Sequence, residues 1–188
     1  VSASSAAFGA ALAAALGVAC ALPPSGVRAA GDDGRLPERA SVATAPELCG
    51  NALDDNGNGL ADEGCGVTSS TVSFLVAWDE PGADVDLRVT DPNGELVEVG
   101  RPTESGLVKE RDCPGRDGEC RGKNLENVYQ EQGEAIPGKY LVRVVLVSLG
   151  GAEPPVHVRF SARLGARAHS TTLSLPRAES DWQLALSF

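Results

Sequence analysis

From Thr71 onward the chain alternates between apolar and polar positions. In TVSFLVAWD, Val72, Phe74, Val76 and Trp78 fall on one side of an extended strand; in ADVDLRVTD, Val85, Leu87 and Val89 oppose Asp84, Asp86 and Arg88. Successive side chains of a strand point to opposite faces, so a period of two marks a strand buried on one side. The same period returns in ELVEV at 95–99, KYLVRVVLV at 139–147, PVHVRFSAR at 155–163, HSTTLSL at 169–175 and WQLALSF at 182–188. Asp91-Pro92-Asn93-Gly94 has the composition of a tight turn, with Pro presetting the second position and Gly closing it. Strands at this spacing, with no helical period after residue 30, predict an all-β chain: a single antiparallel β-sandwich over residues 68–188. Trp78 and Trp182 are expected to fill its core; the alternative for Trp182 is a solvent-facing ring that stacks on sugar.

The texture before the strands is different. Residues 6–22 form an Ala-rich apolar run stopped by Pro23 and Pro24. It is short for a membrane span and suits the apolar core of a signal peptide, although no Lys or Arg precedes it. Residues 1–29 are therefore expected to be a signal segment, with cleavage near Ala29 or Ala30. A second version is a lipoprotein signal: Leu16-Gly17-Val18-Ala19-Cys20 loosely resembles a lipobox, which makes Cys20 a candidate lipid anchor and the chain's one route to a membrane. Residues 30–46 carry charge, two Pro and no apolar period, and read as a flexible linker.

Between linker and sandwich lies ELCGNALDDNGNGLADEGC, residues 47–65. Asp54, Asn56 and Asn58 present side-chain oxygens at alternate positions, Gly59 follows, Leu60 offers its backbone carbonyl, and Asp62 and Glu63 end the run. Calcium takes six to eight hard oxygen ligands, and a short loop wraps it only by turning sharply at its midpoint, which glycine permits. The first half matches the opening of an EF-hand loop, D-x-N-x-N-G. The second half departs, because the twelfth position, where the EF-hand places its bidentate Glu, is Cys65. The predicted site is a shorter loop over residues 47–66 with Asp54, Asn56, Asn58, Leu60, Asp62 and Glu63 as Ca2+ ligands. Three of the five side-chain ligands are charged, which places the expected affinity on the order of 10⁻⁴–10⁻³ M. The alternative is a solvated Asx-Gly turn that binds nothing.

Five cysteines are present, and setting Cys20 aside leaves four, which allow three pairings. Sequence proximity favours Cys49 with Cys65 and Cys113 with Cys120. The first bridge closes a loop of about 15 residues, worth roughly 3 kcal/mol on the chain-entropy model. An even framework implies an oxidising compartment: periplasm, cell surface or exterior.

The order E-x-C-G-N-x-L-D-D-N-G-N-G-L-x-D-E-G-C resembles the metal-binding motif, often repeated, of bacterial secreted and surface proteins of the MopE type. It covers about a tenth of the chain. A second resemblance runs through the strands. WDEPGADVDLRVTDPNGELVEVG, then LENVY at 125–129, then AIPGKYLVRVVLV at 135–147, look like the YfaP-like bacterial β-sandwich family, domain of unknown function 2135. These resemblances imply an exported protein with a Ca2+-binding segment and an accessory or binding module with no assigned reaction.

The net charge of −10 argues against nucleic acid, whose phosphates require a basic surface, and against binding anionic lipid by charge alone. Residues 100–126 read as a long polar excursion carrying Cys113, Cys120 and a basic cluster of Lys109, Arg111, Arg116, Arg121 and Lys123, a candidate partner-binding loop. Asp84 and Asp86 share one side of a strand and form a candidate second cation site, on which Asp79, Asp112, Glu126 and Asn127 converge if neighbouring strands pair suitably. The alternative is an ordinary solvent face beside Arg88. No nucleophile elbow or H-E-x-x-H helix appears, and His157 and His169 lie in strand patterns. The expectation is a monomeric, non-enzymatic binding or adhesion module that meets a protein or glycan outside the cell. Its competitors are an accessory module of an extracellular enzyme and a metal-assisted hydrolase built on Asp84 and Asp86.

Overall fold

A computed structural model describes residues 46–114 and 124–188, and the backbone of a two-residue strand, β1 (Val27–Arg28). The remaining strands are β2 (Val72–Trp78), β3 (Asp84–Thr90), β4 (Leu107–Arg111), β5 (Asn124–Gln130), β6 (Lys139–Ser148), β7 (Val156–Leu164), β8 (Arg167–Leu175) and β9 (Asp181–Ser187). Among the described residues there is no helix, and so none long and apolar enough to cross a membrane.

Two sheets enclose one core. One has the order β4-β5-β2-β7-β8 and the other β9-β6-β3, with β1 added in parallel beside β9. Every other pairing is antiparallel. Cleavage near Ala29 would remove β1 and leave three strands in the second sheet.

The period of two produces the core directly. Val72, Phe74, Val76 and Trp78 of β2 and Val85, Leu87 and Val89 of β3 are all buried, and they meet Tyr140, Val142, Val144 and Leu146 from β6. Phe160 packs on Trp182 with ring centroids 5.1 Å apart, and Phe74 on Tyr140 at 5.9 Å. Trp182 is only 2% exposed, so its ring belongs to the core and offers no stacking surface for sugar.

Two expectations are corrected. ELVEV is no regular strand: Leu96, Glu98 and Val99 make isolated bridges to Thr90, Arg101 and Lys109. The 100–126 stretch is not all loop, because β4 lies inside it and pairs with β5, with a register shift between Lys109 and Arg111. Lys109 therefore leaves the expected surface cluster and lies buried at 7% exposure.

The cysteine-bracketed segment is packed against the outer face of the larger sheet. Ala52 is fully buried with Leu75, Ala77 and Leu125, and Ala61 and Val67 pack around them. This second cluster explains why β2 is apolar on both faces. Arg159 of β7 fastens the segment further: its Nε donates to the Asn51 carbonyl at 2.7 Å while its Nη atoms grip both Asp79 oxygens. A Cβ on Gly59 would come within 3.3 Å of Arg163 Nη1, so only glycine fits easily there, where φ is +87°.

Candidate functional site

The predicted disulfide between Cys49 and Cys65 is present, with Cα atoms 5.2 Å apart. Inside it the acidic side chains take distinct parts. Asp54 accepts from the amides of Gly57 (2.7 Å) and Asn58 (2.9 Å) on Oδ1 and from Gly59 (2.8 Å) on Oδ2, curling the backbone around its carboxylate. Asn56 Oδ1 accepts from Asn58 N, and Asn58 Oδ1 from Leu60 N, as Asx turns do. Both amide Nδ2 groups then turn to the same atom, Glu63 Oε1, with Asn56 at 2.6 Å. The other oxygen, Glu63 Oε2, is buried and has no hydrogen-bond partner.

Asp62 does something else. It is fully buried, adopts a left-handed φ of 54°, and takes the amides of Gly50 (2.6 Å), Asn51 (3.4 Å) and Ala52 (2.8 Å). Its two oxygens pin the start of the loop to its end. Sequence reasoning assigned no part to Glu47, yet its carboxylate accepts from Asn56 N (3.0 Å), Asp55 N (3.3 Å) and Asp62 N (3.1 Å). Burial raises its pKa above the usual carboxylate value, while those three amides pull it back. The signal was available, since Glu47 opens the same motif. The structure thus brings Asn56, Asn58 and Glu63 together, wraps the backbone of 57–59 around Asp54, and sets Asp62 and Glu47 as braces.

The exit of the loop is tied to the sandwich. Thr68 donates from N (3.1 Å) and Oγ1 (2.9 Å) to Glu110, which also receives Asn127 Nδ2 at 2.6 Å. Arg111 reaches the Gly66 carbonyl at 3.1 Å.

A second constellation sits where β3, an edge strand, faces β4 and β5 of the opposite sheet. Asp86, Asp112 and Glu126 bring their ligand atoms within 4.8 Å of one another, the one such acidic trio among the described residues. Asp112 and Glu126 join Asp86 as the pairing argument anticipated. Asp79 does not, being held by Arg159, and Asn127 faces the other side of β5 toward Glu110. Asp84 stays partly buried nearby; burial raises its pKa, and the charges of Asp86 and Asp112 add to the rise.

The cation at this trio is the protein's own. Lys109 Nζ lies 2.7 Å from Asp112 Oδ1 and 2.9 Å from Glu126 Oε2, and Arg88 Nη2 lies 2.7 Å from Asp86. Glu126 is fully buried; its Oε2 also accepts Leu87 N at 2.6 Å and its Oε1 accepts Cys113 N at 3.1 Å. Burial pushes its pKa up to about 8 despite the pull of Lys109. The two carboxyls hold the Lys109 ammonium above its usual pKa, overcoming the opposite effect of burial. Cys113 is disulfide-bonded; Cys120, its expected partner, lies outside the described residues, as do Cys20, Arg116, Arg121 and Lys123.

His157 is exposed with Nδ1 3.1 Å from Ser174 Oγ on the neighbouring strand, and His169 is half-buried against Phe160. No protein-family model, curated protein or solved structure matches the chain.

Proposed function

We propose that the protein is an exported, calcium-stabilised, non-enzymatic binding module of a bacterial envelope or exterior, with its Ca2+ held in the Cys49–Cys65 loop. One observation carries the reading: Glu63 presents a buried oxygen with no partner beside two asparagine side chains, within a loop closed by a disulfide. A buried carboxylate oxygen left without a partner is costly, and a divalent ion would supply the missing charge. Asn56, Asn58 and Glu63, with Asp54 and the Leu60 carbonyl, would hold the ion; Asp62 and Glu47 would brace the loop. The ion's contribution is to neutralise the carboxylates and stiffen the segment, keeping it docked on the outer face of the larger sheet.

The disulfide favours an oxidising compartment. A protein or glycan outside the cell is the partner this reading implies. The hydrolase reading loses ground because Lys109 and Arg88 already occupy the carboxylates around Asp86.

The test is thermal unfolding of the full, oxidised chain in Ca2+ and in EDTA. With a Kd on the order of 10⁻⁴–10⁻³ M, about 10 mM Ca2+ stabilises by roughly 1.4–2.7 kcal/mol. Coincident melting curves would remove the metal from the account.

A further inference from the structure

The Lys109, Asp112 and Glu126 constellation has more parts than an ion pair needs. Lys109 and Glu126 project inward from adjacent strands, with side chains 7% and 1% exposed, so bulk water is excluded. The ammonium nitrogen and Leu87 N–H both meet Glu126 Oε2, at 2.9 and 2.6 Å, while Cys113 N–H addresses Oε1 at 3.1 Å. The amide on Oε1 is placed to receive the negative charge that develops when a nucleophile adds to the carboxyl, with Oε2 left to depart as hydroxyl. Asp112, 2.7 Å from the same nitrogen and 21% exposed, connects it with solvent.

We propose that Lys109 and Glu126 join spontaneously through an amide bond, a covalent staple between β4 and β5. In the first step Lys109 Nζ gives a proton to Asp112. The free amine then adds to Cδ of the protonated Glu126 carboxyl, and Cys113 N–H holds the oxyanion that develops on Oε1. The C–O bond to the leaving hydroxyl breaks, that hydroxyl takes the proton released from the nitrogen, and one water departs. Asp112 returns its proton to solvent. The balance is one ammonium and one carboxylic acid giving one amide, one water and one proton; no oxidant, metal or co-reactant enters.

Burial supplies the electrophile, because the raised pKa of Glu126 keeps the neutral acid populated at neutral pH. The product suits the same low-dielectric interior: the amide is neutral, needs no paired charge, and its oxygen keeps a backbone donor. Holding the reacting groups in contact replaces a bimolecular encounter. Since the two carboxyls stabilise the ammonium, the free amine is rare, and the bond forms slowly, once in the life of each molecule.

The experiment is the intact mass of the full folded chain, measured after reduction and denaturation, followed by tryptic mapping. The expected result is a mass one water below that of the reduced chain, no cleavage after Lys109, and a cross-linked species joining the Lys109 segment to the segment containing Glu126. Lys109→Met and Glu126→Ala should each restore the full mass, and Asp112→Asn should lower the linked fraction at early times. A full wild-type mass with cleavage after Lys109 overturns the proposal. A lost water that maps to Asp112 overturns the assignment to Glu126.

Discussion

Leu87, on the edge of one sheet, donates its backbone N–H across the sandwich to Glu126 of the other at 2.6 Å. An edge strand presents unpaired amides, and a carboxylate from the facing sheet occupies this one. The same side chain receives Cys113 N and Lys109 Nζ, so Glu126 serves three donors at one end of the core. Glu126→Ala leaves a buried ammonium and two amides short of an acceptor. The expected loss is about 3–5 kcal/mol in denaturant unfolding, since removing one partner of a buried pair costs far more than the pair contributes. A loss below about 1 kcal/mol would show that the cluster is hydrated and inessential.

Asp62→Ala tests the brace inside the loop. It strands three amides, those of Gly50, Asn51 and Ala52, at a fully buried position. Each unsatisfied buried donor costs about 1–3 kcal/mol. Hydrogen exchange at Gly50 and Ala52 should rise sharply while exchange in β6 stays slow; uniform acceleration would mean that the loop and sandwich unfold as one.

Gly59→Ala meets two obstacles at once, a left-handed φ of +87° and Arg163 Nη1 at 3.3 Å from the new Cβ. The backbone cost alone is about 1–2 kcal/mol. The melting temperature should fall, with less change in Arg163→Ala/Gly59→Ala than the two single losses sum to. Strict additivity would show that the loop does not press on β7.

These loop features were only partly legible in the residues. The inward faces of β2, β3, β6 and β7 follow from their period of two, because burial on one side is what that period encodes. Leu75 and Ala77 break it, and that was the trace of the segment lying over the outer face of β2. β4 was hidden because LVKER puts Lys109 at an inward position. A buried lysine is intelligible only with Glu126 and Asp112, which come from other stretches of chain. ELVEV has the period but pairs only through single bridges, so alternation without a neighbouring strand in register did not make a strand there. The loop's calcium pattern was plain in its residue types. The split between Glu63, facing the two asparagines, and Asp62, facing backbone, was not, because it depends on which carboxylate the φ of 54° at Asp62 turns inward.

His169 gives a pH signature. Burial lowers its pKa below the ordinary value of 6.5, so the fold favours the neutral ring. Stability from this group is present above pH 6.5 and is lost as pH falls through the lower folded value. His169→Gln should flatten the urea midpoint between pH 6.5 and 5 relative to the parent chain. Equal slopes in the two proteins would contradict the burial of the ring.

The most direct measurement of the central claim is calorimetric titration of Ca2+ into the metal-stripped, oxidised full chain. The account predicts saturable one-to-one binding with a Kd on the order of 10⁻⁴–10⁻³ M. Binding should weaken at least tenfold in Glu63→Ala and be unaltered in Asp86→Ala. No heat up to about ten times that range, with unmoved Asn56 and Asn58 side-chain amide resonances, would contradict it.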